Sequence, residues 1–390
     1  MSGSDKIKIC YVTHLPNLTG ANQSLLDLID SLDRKYFHPY VILGKNGPLV
    51  EELNRRNICY KVFYYSSDIS EKQFYKNIIK KLKSQIALNK IMEFLIAEKI
   101  DIVHNNTLLS WVGMEAAKRC GIPYICHVRE LVWEDHKIIL LHEKRQYDLM
   151  KEAVKSIFIS KFVESKFVSM YGLNNFTTIM DGFHVERYYA DHKPILQSKT
   201  VKLLLAGRIA PGKGQLEAIK AVEQLNKNDS YLFELSIVGS IGDWNYYREL
   251  KKYVEEHSLE NIKFIDFTDL KKLRSECDIA LICSCAEALG RVTVESMLSG
   301  CLVIGANAGA TLEIIEDKKT GLLYKSGDSC DLAKKILFAC ENAPLMNEIS
   351  NRARKWAKDN FDHKKYSESI SYIYKSIMDE KTGNLLGCII

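Results

Sequence analysis

Short apolar runs alternate with longer amphipathic stretches almost from one end of this chain to the other. That rhythm is the signature of β-α-β units, and it narrows the fold to parallel sheets flanked by helices. In the first half the candidate strands are 7–12, 39–43, 60–63, 102–105, 124–127, 156–159 and 177–180. In the second half they are 202–206, 233–238, 262–265, 279–283, 302–304 and 322–324. Their near-continuous hydrophobicity suits strands covered on both faces. Between the two sets, residues 181–200 carry Gly182, Pro194 and mixed polar side chains without a strong period, which reads as a linker.

A chain of 390 residues accommodates two such sheets, at about 100–200 residues per domain. Hydrophobic residues at 46% and charged residues at 26% supply two cores and their surfaces. The formal charge of +5 suits a protein that handles anionic ligands and is too mild to indicate nucleic acid. The eleven cysteines form no C-x-x-C pair, so no zinc cage or redox motif is spelled out. Cys10, Cys59, Cys126, Cys283 and Cys285 read as buried reduced thiols of a cytoplasmic protein. The first residues run into a strand without a signal-peptide core, and no stretch approaches the roughly 18 apolar residues of a membrane span.

One helical segment stands apart. Over 74–86, Phe74, Tyr75, Ile78, Ile79, Leu82 and Ile86 fall on one side at about 100° per residue. Lys72, Lys76, Lys80, Lys83 and Lys90 line an adjacent stripe. Two readings stand side by side: a helix of about 72–90 lying on an anionic membrane surface, or a core-facing helix with a solvated face.

Two constellations carry chemistry. The first is Ala206-Gly207-Arg208-Ile209-Ala210-Pro211-Gly212-Lys213-Gly214-Gln215, a glycine-rich turn between an apolar strand and a helix. Such a turn offers free backbone N–H groups and the positive end of a helix dipole to an anion. Arg208 and Lys213 add two full charges, so a diphosphate is the natural guest. Gly207 through Lys213 also matches the phosphate loop G-x-x-x-x-G-K, but the magnesium-binding Ser or Thr that must follow is Gly214 here. A structural turn with incidental basic residues is the bland alternative.

The second constellation is Glu287-Ala288-Leu289-Gly290-Arg291-Val292-Thr293-Val294-Glu295, after the apolar run 279–283. Glu287 falls on a loop at a strand's carboxyl end and Glu295 in the helix that follows. In open α/β sheets ligands lie beyond those strand ends. Two carboxylates there can accept hydrogen bonds from sugar hydroxyls, while the amides of Leu289, Gly290 and Arg291 face a phosphate. Alone, the pair would read as a solvated loop Glu and a helix-surface Glu. With small-residue turns at Gly239–Gly242 and Gly305–Gly309, however, every such feature of the domain falls at a strand end.

In that order and context the sequence resembles the group 1 glycosyltransferases, the large retaining family with the GT-B fold. The resemblance spans nearly the whole chain and is strongest over 202–324, through Gly207-Arg208 with Lys213-Gly214, Glu287 with Glu295, and Gly309-Ala310-Thr311-Leu312-Glu313 with Thr320-Gly321. It implies an α/β chain with two Rossmann-like domains facing each other across a cleft. Residues 1–185 would form the acceptor-side domain, 200–362 the nucleotide-sugar domain, and a last helix within 363–390 would pack back on the first.

By position, Arg208 and Lys213 match the clamp on the donor diphosphate, Glu287 the carboxylate at the donor sugar and Glu295 the ribose ligand. Leu289, Gly290, Arg291 and Val292 match the turn whose amides meet sugar and phosphate. Gly239 and Phe267 fall on turns at the nucleotide, the latter where the family holds the base. Gly20 and Ala21, opening a helix after the first strand, resemble the glycine turn near the donor phosphate, with one glycine where two are common. His127 matches the histidine near the reacting sugar, with Arg129 and Glu130 beside it as acceptor-side candidates.

The resemblance implies transfer of a hexose-type sugar to a glycan or lipid-linked acceptor in bacterial surface polysaccharide synthesis, in the cytoplasm or at the inner membrane face. No cofactor is implied beyond the donor itself. No Asp-x-Asp occurs anywhere, so no metal clamp is expected. A same-fold epimerase or phosphorylase, or a non-catalytic sugar-nucleotide binding protein, remains the alternative.

Overall fold

The computed structural model describes residues 6–132, 139–190, 194–266 and 270–382. The chain divides into two compact units, Met1–Phe183 with His363–Ile390, and His184–Asp362.

In the first unit, β1 (Ile7–Thr13), β2 (Phe37–Leu43), β3 (Cys59–Val62), β4 (Ile102–Asn105), β5 (Tyr124–Val128), β6 (Lys155–Phe158) and β7 (Phe176–Thr178) form one sheet. Its order is β3-β2-β1-β4-β5-β6-β7, and all neighbours run parallel. Central strands such as β1 are buried at consecutive residues, because helices cover both faces. The C-terminal helix His363–Thr382 belongs to this unit and places Tyr366, Ile370, Tyr374 and Ile377 in the same core as Ile9, Leu25 and Ile29. Their three- and four-residue spacing puts one face of that helix inward.

In the second unit, β8 (Thr200–Ala206), β9 (Leu232–Val238), β10 (Ile262–Ile265), β11 (Ile279–Ile282), β12 (Leu302–Ala306) and β13 (Leu322–Tyr324) follow the order β10-β9-β8-β11-β12-β13. These strands are parallel as well. Each sheet therefore has one point where the winding reverses, between β1 and β4 and between β8 and β11. Loops leaving those strands diverge, and the crevice beyond their carboxyl ends is where doubly wound sheets hold ligands.

Two readings of the sequence are corrected. Among the described cysteines all are free thiols, but Cys59 and Cys285 are exposed rather than buried. Cys59 opens β3, an edge strand, and Cys285 sits on the loop after β11. The helix Phe74–Ala97 is longer than its apolar stripe, and that stripe does not enter the core. Its buried residues are Ser84, Ala87, Leu88, Ile91 and Leu95, whereas Phe74, Tyr75, Ile78, Ile79, Leu82 and Ile86 are exposed.

Candidate active site

The phosphate turn is built by close backbone approach. Gly214 has φ +74°, and a Cβ there would meet the Cys283 carbonyl oxygen at 2.2 Å. Only glycine lets the turn rest directly on the end of β11. The Cys285 N–H donates to the Gly212 carbonyl at 3.1 Å, joining the turn to the loop that carries Glu287. Directly after Gly214 the helix Gln215–Leu225 begins, so its unpaired N–H groups open at this place. The side-chain amide of Gln215 donates back to the Arg208 carbonyl at 3.0 Å and holds the turn closed. Arg208 is exposed and its side chain runs over Gly242, where a Cβ would meet Nε at 2.1 Å. Gly239 lies against the Gly207 carbonyl, with 2.1 Å left for a Cβ, so the turns after β8 and β9 are in contact.

These approaches bring Lys213 to Glu287, Nζ to Oε2 at 3.1 Å. Both side chains keep about one fifth of their surface open, at 21% and 23%. Glu287 is seated from below: the Ala310 N–H donates to its carbonyl at 2.9 Å, and a Cβ on Gly309 would meet its nitrogen at 2.7 Å. Gly290, at φ +92°, caps the helix Arg291–Leu298, whose first turns carry Arg291, Val292 and Glu295. Leu289 is buried, so any part it plays in binding falls to its backbone. Glu295 accepts from Arg274 and lies 3.7 Å from Arg291 Nε. Arg274 was missed by the sequence reading. It is buried on the helix Leu270–Glu276 with its guanidinium 5.8 Å over the Tyr188 ring, yet its Lys-Lys-Leu-Arg context reads as a solvated face. Phe267 lies outside the described residues.

In the first unit, the loop after β1 is held by buried Asn22, whose amide donates to the carbonyls of Leu15 and Asn17. The helix Gly20–Ser31 starts there. Asn106, directly after β4, donates to the Ala21 carbonyl at 3.0 Å and accepts from Arg129 Nε at 3.0 Å. Arg129 is itself buried; it pairs with Asp181 and donates to Tyr366 at 2.9 Å. The Gly20–Ala21 turn, Arg129 and His127 thus meet in one polar network on the ends of β1, β4 and β5. Glu130, the next residue, is buried as well. One of its oxygens accepts from the Thr107 hydroxyl and the N–H groups of Leu108 and Leu109, pinning the loop after β4. Burial pushes its carboxyl up to about 7 against those donors.

His127 Nδ1 lies 3.3 Å from an Arg129 nitrogen and 3.1 Å from His104 Nε2. A guanidinium can only donate, so Nδ1 offers its lone pair and neutral His127 carries its proton on Nε2. That atom is buried and has no hydrogen-bond partner among the described residues. Burial first, then Arg129 and His104, hold His127 well below the usual histidine range. Burial and Arg129 bring His104 to about 3. Tyr374, 2.7 Å from His104 Nδ1, and Tyr11 close the network. The site can therefore present a neutral N–H donor beside a buried cation.

A pH dependence follows. In the unfolded chain both histidines titrate near 6.5 and bind protons that the folded protein refuses. Their contribution is complete above that pH and is lost as pH falls below it, at about 1.4 kcal/mol per pH unit for each group. Glu130 works in the opposite sense between 4.5 and about 7, where the folded protein holds the proton. The net acid slope near pH 5–6 is then about that of one group. Denaturant melts at several pH values should show it, and His104→Gln should flatten it; an unchanged slope in that variant would remove His104 from the account.

Two doubly wound parallel sheets, one bearing a basic glycine turn clasped to an acidic loop, define a two-domain enzyme of the GT-B kind. The group 1 glycosyl transferase model matches residues 190–356, and the glycosyltransferase family 4 model matches residues 18–187. The UDP-Gal:alpha-D-GlcNAc-diphosphoundecaprenol alpha-1,3-galactosyltransferase of Escherichia coli is 23% identical, over 97% of this chain and 100% of that protein. The capsular polysaccharide biosynthesis glycosyltransferase CapM of Staphylococcus aureus is 25% identical, over 90% of this chain and 99% of its own. Among solved structures, Anabaena HepE in complex with UDP and glucose superposes with a TM-score of 0.79 at 23% identity, covering 95% of this chain and 100% of that one. TarM does so with a TM-score of 0.74 at 13% identity, over 96% and 100%. This chain belongs to the group 1 glycosyltransferases. No described helix is long and apolar enough to cross a membrane.

Proposed function

We propose that this protein is a retaining glycosyltransferase that moves a hexose-type sugar from a UDP-sugar to a glycan or lipid-linked acceptor in bacterial surface polysaccharide synthesis, working at the inner face of the membrane. The observation that carries the reading is the Lys213–Glu287 contact at the β8/β11 reversal, where a cation for the diphosphate and a carboxylate for the sugar share one seat. The galactosyltransferase activity of the Escherichia coli relative and the UDP bound in HepE support the donor and acceptor classes.

In this reading the bond between the anomeric carbon and the diphosphate oxygen breaks while the acceptor oxygen bonds from the same face. The acceptor's proton passes to the departing diphosphate. Arg208, Lys213 and the amides of Leu289, Gly290, Arg291 and Val292 stabilise its growing charge, and Glu295 takes the ribose hydroxyls. By the family resemblance, Gly239 and Phe267 would serve the nucleotide, Gly20 and Ala21 the diphosphate, and His127 the sugar. Arg129 holds that histidine, and Glu130 shapes the neighbouring loop on the acceptor side. Arg208 and Lys213 supply two full positive charges to the diphosphate, so this reading requires no metal or other cofactor.

The test is a panel of nucleotide sugars screened by thermal shift, followed by turnover with the stabilising donor and determination of the product's anomeric configuration by NMR. A UDP-sugar should stabilise the protein, the product should keep the donor's configuration, and turnover should persist in EDTA. An inverted product would overturn the retaining assignment, and loss of turnover in EDTA the metal-free one. A donor that binds but is never transferred or hydrolysed would leave a sugar-nucleotide binding protein.

A further inference from the structure

The helix Phe74–Ala97 carries two apolar faces, and among the described residues only one of them is buried. Ser84, Ala87, Leu88, Ile91 and Leu95 form the buried face. At about 100° per residue, the stripe from Phe74 through Ile86 lies roughly opposite it. That stripe is open: Phe74 is 77% exposed, Leu82 59% and Ile86 62%, with Tyr75, Ile78 and Ile79 exposed between them. So many large apolar side chains together on one helix mark an interaction surface.

The charge around the stripe says what covers it. From residue 72 to residue 92 there are six lysines and no Asp or Glu. Lys76, Lys83 and Lys90 run along one border of the stripe and Lys81 along the other, and Lys72 lies just before the helix, all exposed. Lys80 is set apart, since it donates to the Ile69 carbonyl and to Glu71, both at 2.7 Å. A second copy of this chain would bring lysine rows against lysine rows. A polyanion such as nucleic acid would satisfy the lysines and leave the aliphatic side chains wet. An anionic bilayer offers apolar depth for the stripe and phosphate headgroups for its borders, which is the pairing an interfacial helix uses.

We propose that the first half of this helix, through Phe74, Ile78, Leu82 and Ile86 with its bordering lysines, docks the protein on an anionic lipid surface. The surface follows from the helix itself. It deepens the reading of a lipid-linked acceptor by naming the face that meets the membrane.

The experiment is co-sedimentation of the full chain with vesicles, with no donor or acceptor present, so that its outcome is independent of turnover. Binding should be strong to vesicles containing phosphatidylglycerol and much weaker to phosphatidylcholine alone, and it should fall in about 0.5 M salt. Phe74→Ser with Ile78→Ser and Leu82→Ser should weaken it roughly 100-fold, because three side chains lose their apolar depth. The thermal midpoint of that variant should be unchanged, since the replaced groups are already exposed. Lys76→Gln with Lys83→Gln should lower binding and flatten its salt dependence. No binding to anionic vesicles, or equal binding by the triple serine variant, overturns the proposal. Self-association that the triple variant abolishes would assign the face to a second copy instead.

Discussion

Lys213→Ala should lower turnover by about 10²–10³, the usual loss when one preorganised donor to a developing anion is removed. Lys213 reaches its position because Gly214 lets the turn lie on β11, and its ammonium is 3.1 Å from Glu287. In the proposed reaction that charge meets the departing diphosphate, so the loss should fall on kcat and kcat/KM together. Folding should barely notice. The pair is about one fifth exposed, and ion pairs of that exposure contribute on the order of 0–1 kcal/mol after solvent screening. Steady-state kinetics beside a thermal melt separate the two effects. Near-wild-type turnover would remove the turn from the chemistry, and a large fall in melting temperature would make its role structural.

Arg129→Met should have the reverse profile, with a large loss of stability. Arg129 and Asp181 are almost wholly buried, 2% and 4% exposed, and form an ion pair braced by Asn106, Tyr366 and Ser24. Deleting the guanidinium leaves a buried carboxylate without its cation, which costs about 3–5 kcal/mol. For a unit of this size that lowers the melting temperature by about 10 °C. Adding Asp181→Leu should recover much of the loss, because the double variant no longer buries a charge. Chemical denaturation of the wild type, both single variants and the double variant measures the coupling. A loss below about 1 kcal/mol in Arg129→Met would contradict the buried-pair account.

The strands were legible because their signal is local. Residues 102–105, 262–265 and 322–324 are observed with the bounds read from the sequence, and most others shift by a residue or two. The shifts have causes. β2 begins at Phe37, two residues before the expected start at Pro39, because Pro39 pairs with Ile9 of β1 while pairing with β3 begins only at Tyr40. Its missing N–H therefore falls where β2 still has one neighbour. β12 continues to Ala306 because Gly305 is paired on both sides and Ala306 is still held by β13. The Phe74–Ala97 helix was legible as a helix, but its two opposed apolar faces could not be ranked by period alone.

Taken alone, the sequence determined two parallel α/β sheets, the turns at their strand ends, and the residue types those turns present. Hydrophobic runs, glycines and helix starts act over a few neighbouring residues, so they can be read in order. Only the tertiary structure decided which charges meet. Lys213 and Glu287 are 74 residues apart, and Arg129 and Asp181 are 52 apart. Arg274 with Glu295, and Tyr374 with His104, are likewise partners across separate elements. Each crossover carries the chain away from a strand end and brings it back beside one, so the partner of a side chain is set by strand order and not by distance along the polypeptide.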